Sequence, residues 1–138
     1  MADKHEASGW TVTAESSLRK VFREKSSFDL GDRADIRVCL SAAKNEYESF
    51  QLILSPSDEE DLKGVHVKVS DLINEDGGWV IPKEEIEVFR VGYVETKKLR
   101  YPVEHVGWWP DPLLPMGSFD VKKDEVQPVW VTVHVPPG

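Results

Sequence analysis

Residues 65–70 read Val65-His66-Val67-Lys68-Val69-Ser70, three valines separated by polar side chains at the period of two that half-buries a β-strand. The same alternation returns near the end of the chain, where Val129, Val131, Val133 and Val135 are interleaved with Trp130, Thr132 and His134. Two more runs share it: Ile36, Val38 and Leu40 against Arg37 and Cys39, and Phe50, Leu52 and Leu54 against Ser49, Gln51 and Ile53. Residues 86–94 and 10–14 add two further strands, and no stretch requires a helix. Turn signals separate the runs, as in Ser55-Pro56-Ser57-Asp58 and Asn74-Glu75-Asp76-Gly77-Gly78. Short strands at this spacing predict an all-β chain, an antiparallel β-sandwich of immunoglobulin-like or jelly-roll-like form.

One segment breaks the pattern. Residues 95–128 carry Pro102, Pro110, Pro112, Pro115 and Pro128 and show neither the helical nor the strand period, so a long proline-rich loop is expected there. Loops of that length are usually functional or packed against another surface. The chain of 138 residues suits one hydrophobic core, so residues 1–138 are expected to form a single β-sandwich domain. A strand closes at Val135 and Pro136-Pro137-Gly138 begins a turn, which gives the expectation that the domain was excised from a longer chain.

The net charge of −8 opposes binding to nucleic acid, whose phosphates are neutralised by Lys and Arg. No apolar run approaches the roughly 20 residues of a membrane helix, and residues 1–10 are polar, so no membrane partner is expected either. Cys39, the single cysteine, can form no internal disulfide and leaves the compartment open. A secreted parent whose leader is absent from this sequence is compatible with that.

Three stretches together resemble the N-terminal β-sandwich of family 123 glycoside hydrolases and their uncharacterised relatives. They are Asn45-Glu46-Tyr47-Glu48-Ser49-Phe50-Gln51-Leu52, Pro110-Asp111-Pro112-Leu113-Leu114-Pro115, and Gln127-Pro128-Val129-Trp130-Val131-Thr132-Val133. The resemblance runs from about Ile36 to Pro137. It implies a large catalytic barrel downstream that cleaves N-acetylgalactosamine linkages, using an adjacent Asp-Glu pair and the substrate's own acetamido group. Asp124-Glu125 matches that pair by residue type only, lies in the lead-in to the last strand and is not carried over as catalytic.

No catalytic residue, metal site or cofactor is therefore assigned to this chain. Glycosidase chemistry needs two carboxyls with their pKa values driven apart, and nothing singles out such a pair among 25 acidic residues. His5, His66, His105 and His134 are scattered without zinc-site spacing, and His66 and His134 alternate onto the polar side of their strands. Residues 71–78 lack EF-hand spacing, which leaves only a looser calcium site open. Cys39 reads as a packed thiol in mid-strand.

The feature above background is Trp108-Trp109 with Tyr101 in the proline-rich segment. Two tryptophans left in water would expose an apolar patch as large as any on an ordinary monomer. Stacked on sugar rings, with Glu104 or Asp111 accepting hydroxyl hydrogen bonds, they would make a glycan site; folded onto the sandwich or a neighbouring barrel, they would be packing. Tyr101, Glu104, Trp108, Trp109 and Asp111 are thus candidates for carbohydrate binding or an interface, and the packing alternative is favoured. The expected role is a non-catalytic accessory domain supporting a downstream catalytic domain of the same chain. The alternatives are an independent carbohydrate-binding module and a protein-interaction or adhesion domain. The last strand, rich in valine and free of lysine, is expected to present an unpaired edge and to self-associate.

Overall fold

The computed structural model describes residues 9–28, 36–97 and 100–138. Among these residues, the strands are β1 (Thr11–Ser16), β2 (Tyr47–Ser55), β3 (Leu62–Val65), β4 (Leu72–Ile73), β5 (Val80–Ile81), β6 (Ile86–Glu95), β7 (Trp108–Pro115), β8 (Phe119–Val121) and β9 (Gln127–His134). Two single 3-10 turns, Lys25–Ser27 and Lys83–Glu85, accompany them, and the described residues contain no α-helix. Every pairing is antiparallel. The largest sheet has the order β1-β2-β9-β6-β7, with β3-β8 and β4-β5 as two-stranded ribbons. The architecture is the expected all-β sandwich.

β9 sits at the centre of the large sheet, pairing β2 along one edge and β6 along the other. This overturns the expectation of an unpaired last strand: both of its ladders are used, so it offers no edge for self-association. Its composition fits the centre better, because a strand covered on both faces profits from β-branched and aromatic side chains throughout. Val129, Val131 and Val133 are buried on one face. Pro128, which has no N–H to donate, stands one residue outside the β6 ladder, which ends at Val129.

The valine face is roofed by the β3-β8 ribbon, and Leu54, Phe119, Val121, Val129 and Val131 form the core between the two layers. Phe50, Leu52, Leu62, Val65 and Val67 pack around it. The opposite face is covered by the segment after β1, which buries Val21 and Phe28 against Ile53 and Val126. β2 is consequently buried on both sides. Ile53, expected to face outward, is 0% exposed, and Gln51 is buried with its amide donating to the carbonyls of Ser16 and Arg19.

Two expectations about strands and one about the cysteine are corrected. Residues 66–70 leave the sheet although their alternation survives: Val65, Val67 and Val69 are half-buried and His66, Lys68 and Ser70 exposed. Gly64, at φ 62°, bulges β3, and β8 begins only at Phe119, opposite Val65, so the later valines have no strand beside them. Residues 36–40 form no strand; Ile36, Cys39 and Leu40 are exposed. Val38 and Leu40 line a cleft with Phe50, Val131 and Val133, so this segment lies over the sheet face and not along an edge. Cys39 is accordingly an exposed thiol, not a packed one.

Within residues 95–128, β7 and β8 replace much of the expected loop. Prolines disguise β7, yet β7 is the outer strand of its sheet, where missing N–H groups break no ladder on the open side. Its register slips between Val91 and Tyr93. At that slip a Cβ on buried Gly92 would lie 2.9 Å from Pro112 Cγ and 3.0 Å from Leu114 Cδ1, so glycine permits the close approach of β6 and β7.

Candidate functional site

β7 begins with the two tryptophans singled out above, and both are half-buried against the segment that follows β1. The Arg23 guanidinium stacks over the Trp108 ring at 4.0 Å and pairs with Glu125 at 3.4 Å. Trp109 meets Phe22 edge-on at 5.4 Å and His105 edge-on at 5.4 Å, while Phe22 and His105 lie 4.1 Å apart. Trp109 Nε1 donates to the His105 carbonyl at 3.1 Å, and Lys20 Nζ lies 5.9 Å from its ring centre. His105 Nε2 is buried with no hydrogen-bond partner. Thr96 and Gly107 close the base of the 100–107 segment, with Thr96 N and Oγ1 donating to the Gly107 carbonyl and Gly107 N donating to Thr96 Oγ1. One apolar cluster with a cationic lid results.

The five candidate residues are therefore split. Trp108 and Trp109 share this cluster with Phe22, Arg23 and His105. Tyr101, 65% exposed, and Glu104 are turned to solvent. Asp111 is drawn elsewhere, into a cleft of about 230 Å³ lined also by Arg19, Lys20, Gln51, Leu113 and Trp130. Sequence reasoning missed Phe22, Arg23 and Trp130 as neighbours. Trp130 carried a signal, since it alternates off the valine face; residues 17–28 carried almost none.

The segment from Val21 to Phe28 is tied down at several points. Lys25 N donates to the Asp124 carbonyl and Val126 N to the Arg23 carbonyl, both at 2.9 Å. Asp124 thus contributes its backbone, and Glu125 pairs with Arg23, in a clamp over the sheet. Tyr93 Oη donates to the Val21 carbonyl at 3.0 Å; burial first, then the negative charge of Glu24, pushes its phenol far above the usual tyrosine range. Lys25 Nζ donates to the Pro56 carbonyl and to Asp58 at 2.8 Å, and this hydrogen bond, with the ammonium's charge, holds the Asp58 carboxyl below its ordinary value.

His134 lies on the polar side of β9, as expected, with Nδ1 against the Glu85 carboxylate, Nε2 against Asn45 Oδ1 at 3.1 Å, and Tyr47 stacked on its ring at 4.3 Å. His66 is exposed, and residues 74–78 form the β4-β5 turn, where Asn74 Oδ1 accepts from Asp76 N. His5 lies outside the described residues. Among the described residues no three His, Cys, Asp or Glu side chains are placed to hold a metal ion, and no helix is long and apolar enough to cross a membrane.

Residues 22–138 match the family model of the glycoside hydrolase 123 N-terminal domain. The chain belongs to this family. A family 123 glycoside hydrolase from Clostridium perfringens, studied for glycolipid glycan hydrolysis, shares the fold with a TM-score of 0.75 at 17% sequence identity. That superposition covers 94% of this chain and 22% of the clostridial enzyme, so the shared part is under a quarter of that protein. No curated protein matches in sequence. Membership in the glycoside hydrolase 123 N-terminal domain family agrees with the resemblance read from Asn45–Leu52, Pro110–Pro115 and Gln127–Val133. Those stretches lie respectively at the start of β2, within β7 and along β9, all in the large sheet.

Proposed function

We propose that residues 1–138 form one β-sandwich domain that performs no chemistry and supports the catalytic domain of a family 123-type glycoside hydrolase in the same polypeptide. One observation carries this reading: the family matched is an N-terminal domain, and the likeness to the clostridial enzyme is confined to 22% of its chain. Carboxylate geometry supports it. Glu125 is taken up in the ion pair with Arg23 that holds the 21–28 segment, where catalysis would need both carboxyls facing a substrate. An N-acetylgalactosaminide is the substrate class proposed for the parent. The test is hydrolysis of an aryl N-acetylgalactosaminide by the chain alone and by the parent protein: turnover by the parent only is expected. Turnover by the chain alone that is lost in Asp124→Asn would overturn the proposal.

A glycan-binding role is the second reading, and the cleft containing Asp111 favours it. There the Trp130 ring offers an apolar face beside the side chains of Asp111, Lys20 and Arg19, the combination that grips a sugar ring and its hydroxyls. Calorimetric titration with N-acetylgalactosamine oligosaccharides, repeated on Trp130→Ala and Trp108→Ala, separates this cleft from the β7 tryptophans.

A further inference from the structure

Four of the large exposed apolar side chains among the described residues, Leu40, Leu72, Trp79 and Val80, gather at one place. Leu72 is 43% exposed, Trp79 57% and Val80 46%, and all three line one groove of about 630 Å³ with Val133, Val135 and Pro136. The groove lies at the Val133 end of the central strand, among the described residues bordered by the β4-β5 hairpin, residues 40–44 and the C-terminal residues 135–138. That hairpin pairs two residues with two and joins no larger sheet. A ribbon this short is marginal in water without a surface to rest on. Ile81, 7% exposed, is the register partner of Leu72 and lines the same groove, while Leu72 and Trp79 remain exposed there.

We propose that this groove is the seat of the catalytic domain that follows in the same polypeptide, with Trp79, Leu72 and Val80 inserted into an apolar patch of that domain; the inference rests on the accessory reading above. Three observations select this occupant. Val135, Pro136 and Gly138 are themselves part of the groove wall, and the family matched is the N-terminal domain of longer chains, so the C-terminal side of the domain, from which such a chain runs on, lies at the groove. The lining is apolar at the centre, with Lys44 and Glu48 among its few charged members, the pattern of an apolar interface with a polar rim. A sugar fits poorly, because its hydroxyls need several converging polar partners that this lining does not supply. A large aromatic flanked by aliphatic side chains is the usual anchor of a protein interface.

Hydrogen exchange of the 138-residue chain and of the full parent chain tests the placement. Amides of residues 72–81 should exchange at least about tenfold more slowly in the parent, since docking suppresses local opening of the hairpin. The Leu72→Glu/Trp79→Glu double variant should cancel that protection in the parent while leaving the circular dichroism and melting midpoint of the 138-residue chain unchanged. Should it fail to fold, Val80→Thr alone should reduce the protection. Protection that appears at residues 100–111 instead would overturn this placement and leave the accessory reading standing. No added protection anywhere would overturn both. Concentration-dependent dimerisation of the 138-residue chain, abolished by Trp79→Glu, would assign the groove to a second copy and overturn the inference.

Discussion

Replacing Trp109 with alanine removes the side chain that joins β7, the 100–107 segment and the segment after β1. The indole is half-buried, lies edge-on to Phe22 and His105, and donates one hydrogen bond to the His105 carbonyl. A fully buried tryptophan replaced by alanine costs about 3 to 5 kcal/mol. Partial exposure puts Trp109 at the low end of that range, and its hydrogen bond is included at about 1 kcal/mol. A loss of about 3 kcal/mol is expected, which at a urea dependence of about 1.5 to 2 kcal/mol per molar lowers the midpoint by about 1.5 to 2 M. Trp109→Phe keeps the ring contacts but loses the donor, so a fall of about 0.5 M is expected. The assay is equilibrium urea unfolding followed by far-ultraviolet circular dichroism. If both variants stay within about 0.2 M of the parent midpoint, Trp109 does not hold this region together and the packing account of the pair is refuted. Unchanged midpoints with loss of glycan binding would return Trp108 and Trp109 to the sugar-stacking role.

Gly92→Ala should destabilise the chain by about 1 to 3 kcal/mol, because the added methyl meets the rigid Pro112 ring at 2.9 Å; thermal unfolding reads it, and an unchanged midpoint would mean that β6 and β7 separate freely. Tyr93→Phe should cost about 1 kcal/mol at neutral pH by removing the hydrogen bond to Val21. Because folding raises the Tyr93 pKa, its contribution is complete below the unfolded value near 10 and is lost as pH rises toward the folded one, so stability should fall above about pH 10 more steeply in the parent chain than in Tyr93→Phe. Asp58 has the opposite sign. Its pairing with Lys25 lowers its pKa, so its contribution is present above about pH 4 and fades as pH falls, and Asp58→Asn should lower the neutral part of the stability curve slightly and leave its acid end in place, which flattens the acid limb.

The strands that the alternation located well, β1, β2, β6 and β9, are those with a partner along most of their length. Alternation reports which side chains are shielded, not whether a second backbone lies alongside. Residues 65–70 keep alternating burial with no ladder beyond Val65, and residues 36–40 cross a sheet face with no edge to join. β7 escaped notice for the converse reason: Pro110, Pro112 and Pro115 erase the usual strand signature, yet an outer strand tolerates them. The centrality of β9 depends on the order of strands in space, which the local pattern does not encode. At the candidate site, Trp108 and Trp109 stood out by residue type, whereas their partners Phe22 and Arg23 lie some 85 residues away in a segment with no period. Asp111 is close to the tryptophans in sequence, but it stands where the register of β7 against β6 slips, and it lines the Trp130 cleft instead.

Calorimetric unfolding of the parent protein, with and without residues 1–138, tests the supporting role most directly. The account predicts that the catalytic part melts several degrees lower, and loses hydrolytic activity on warming sooner, when this domain is removed. A catalytic part that melts at the same temperature and hydrolyses its substrate equally well in both forms would contradict it.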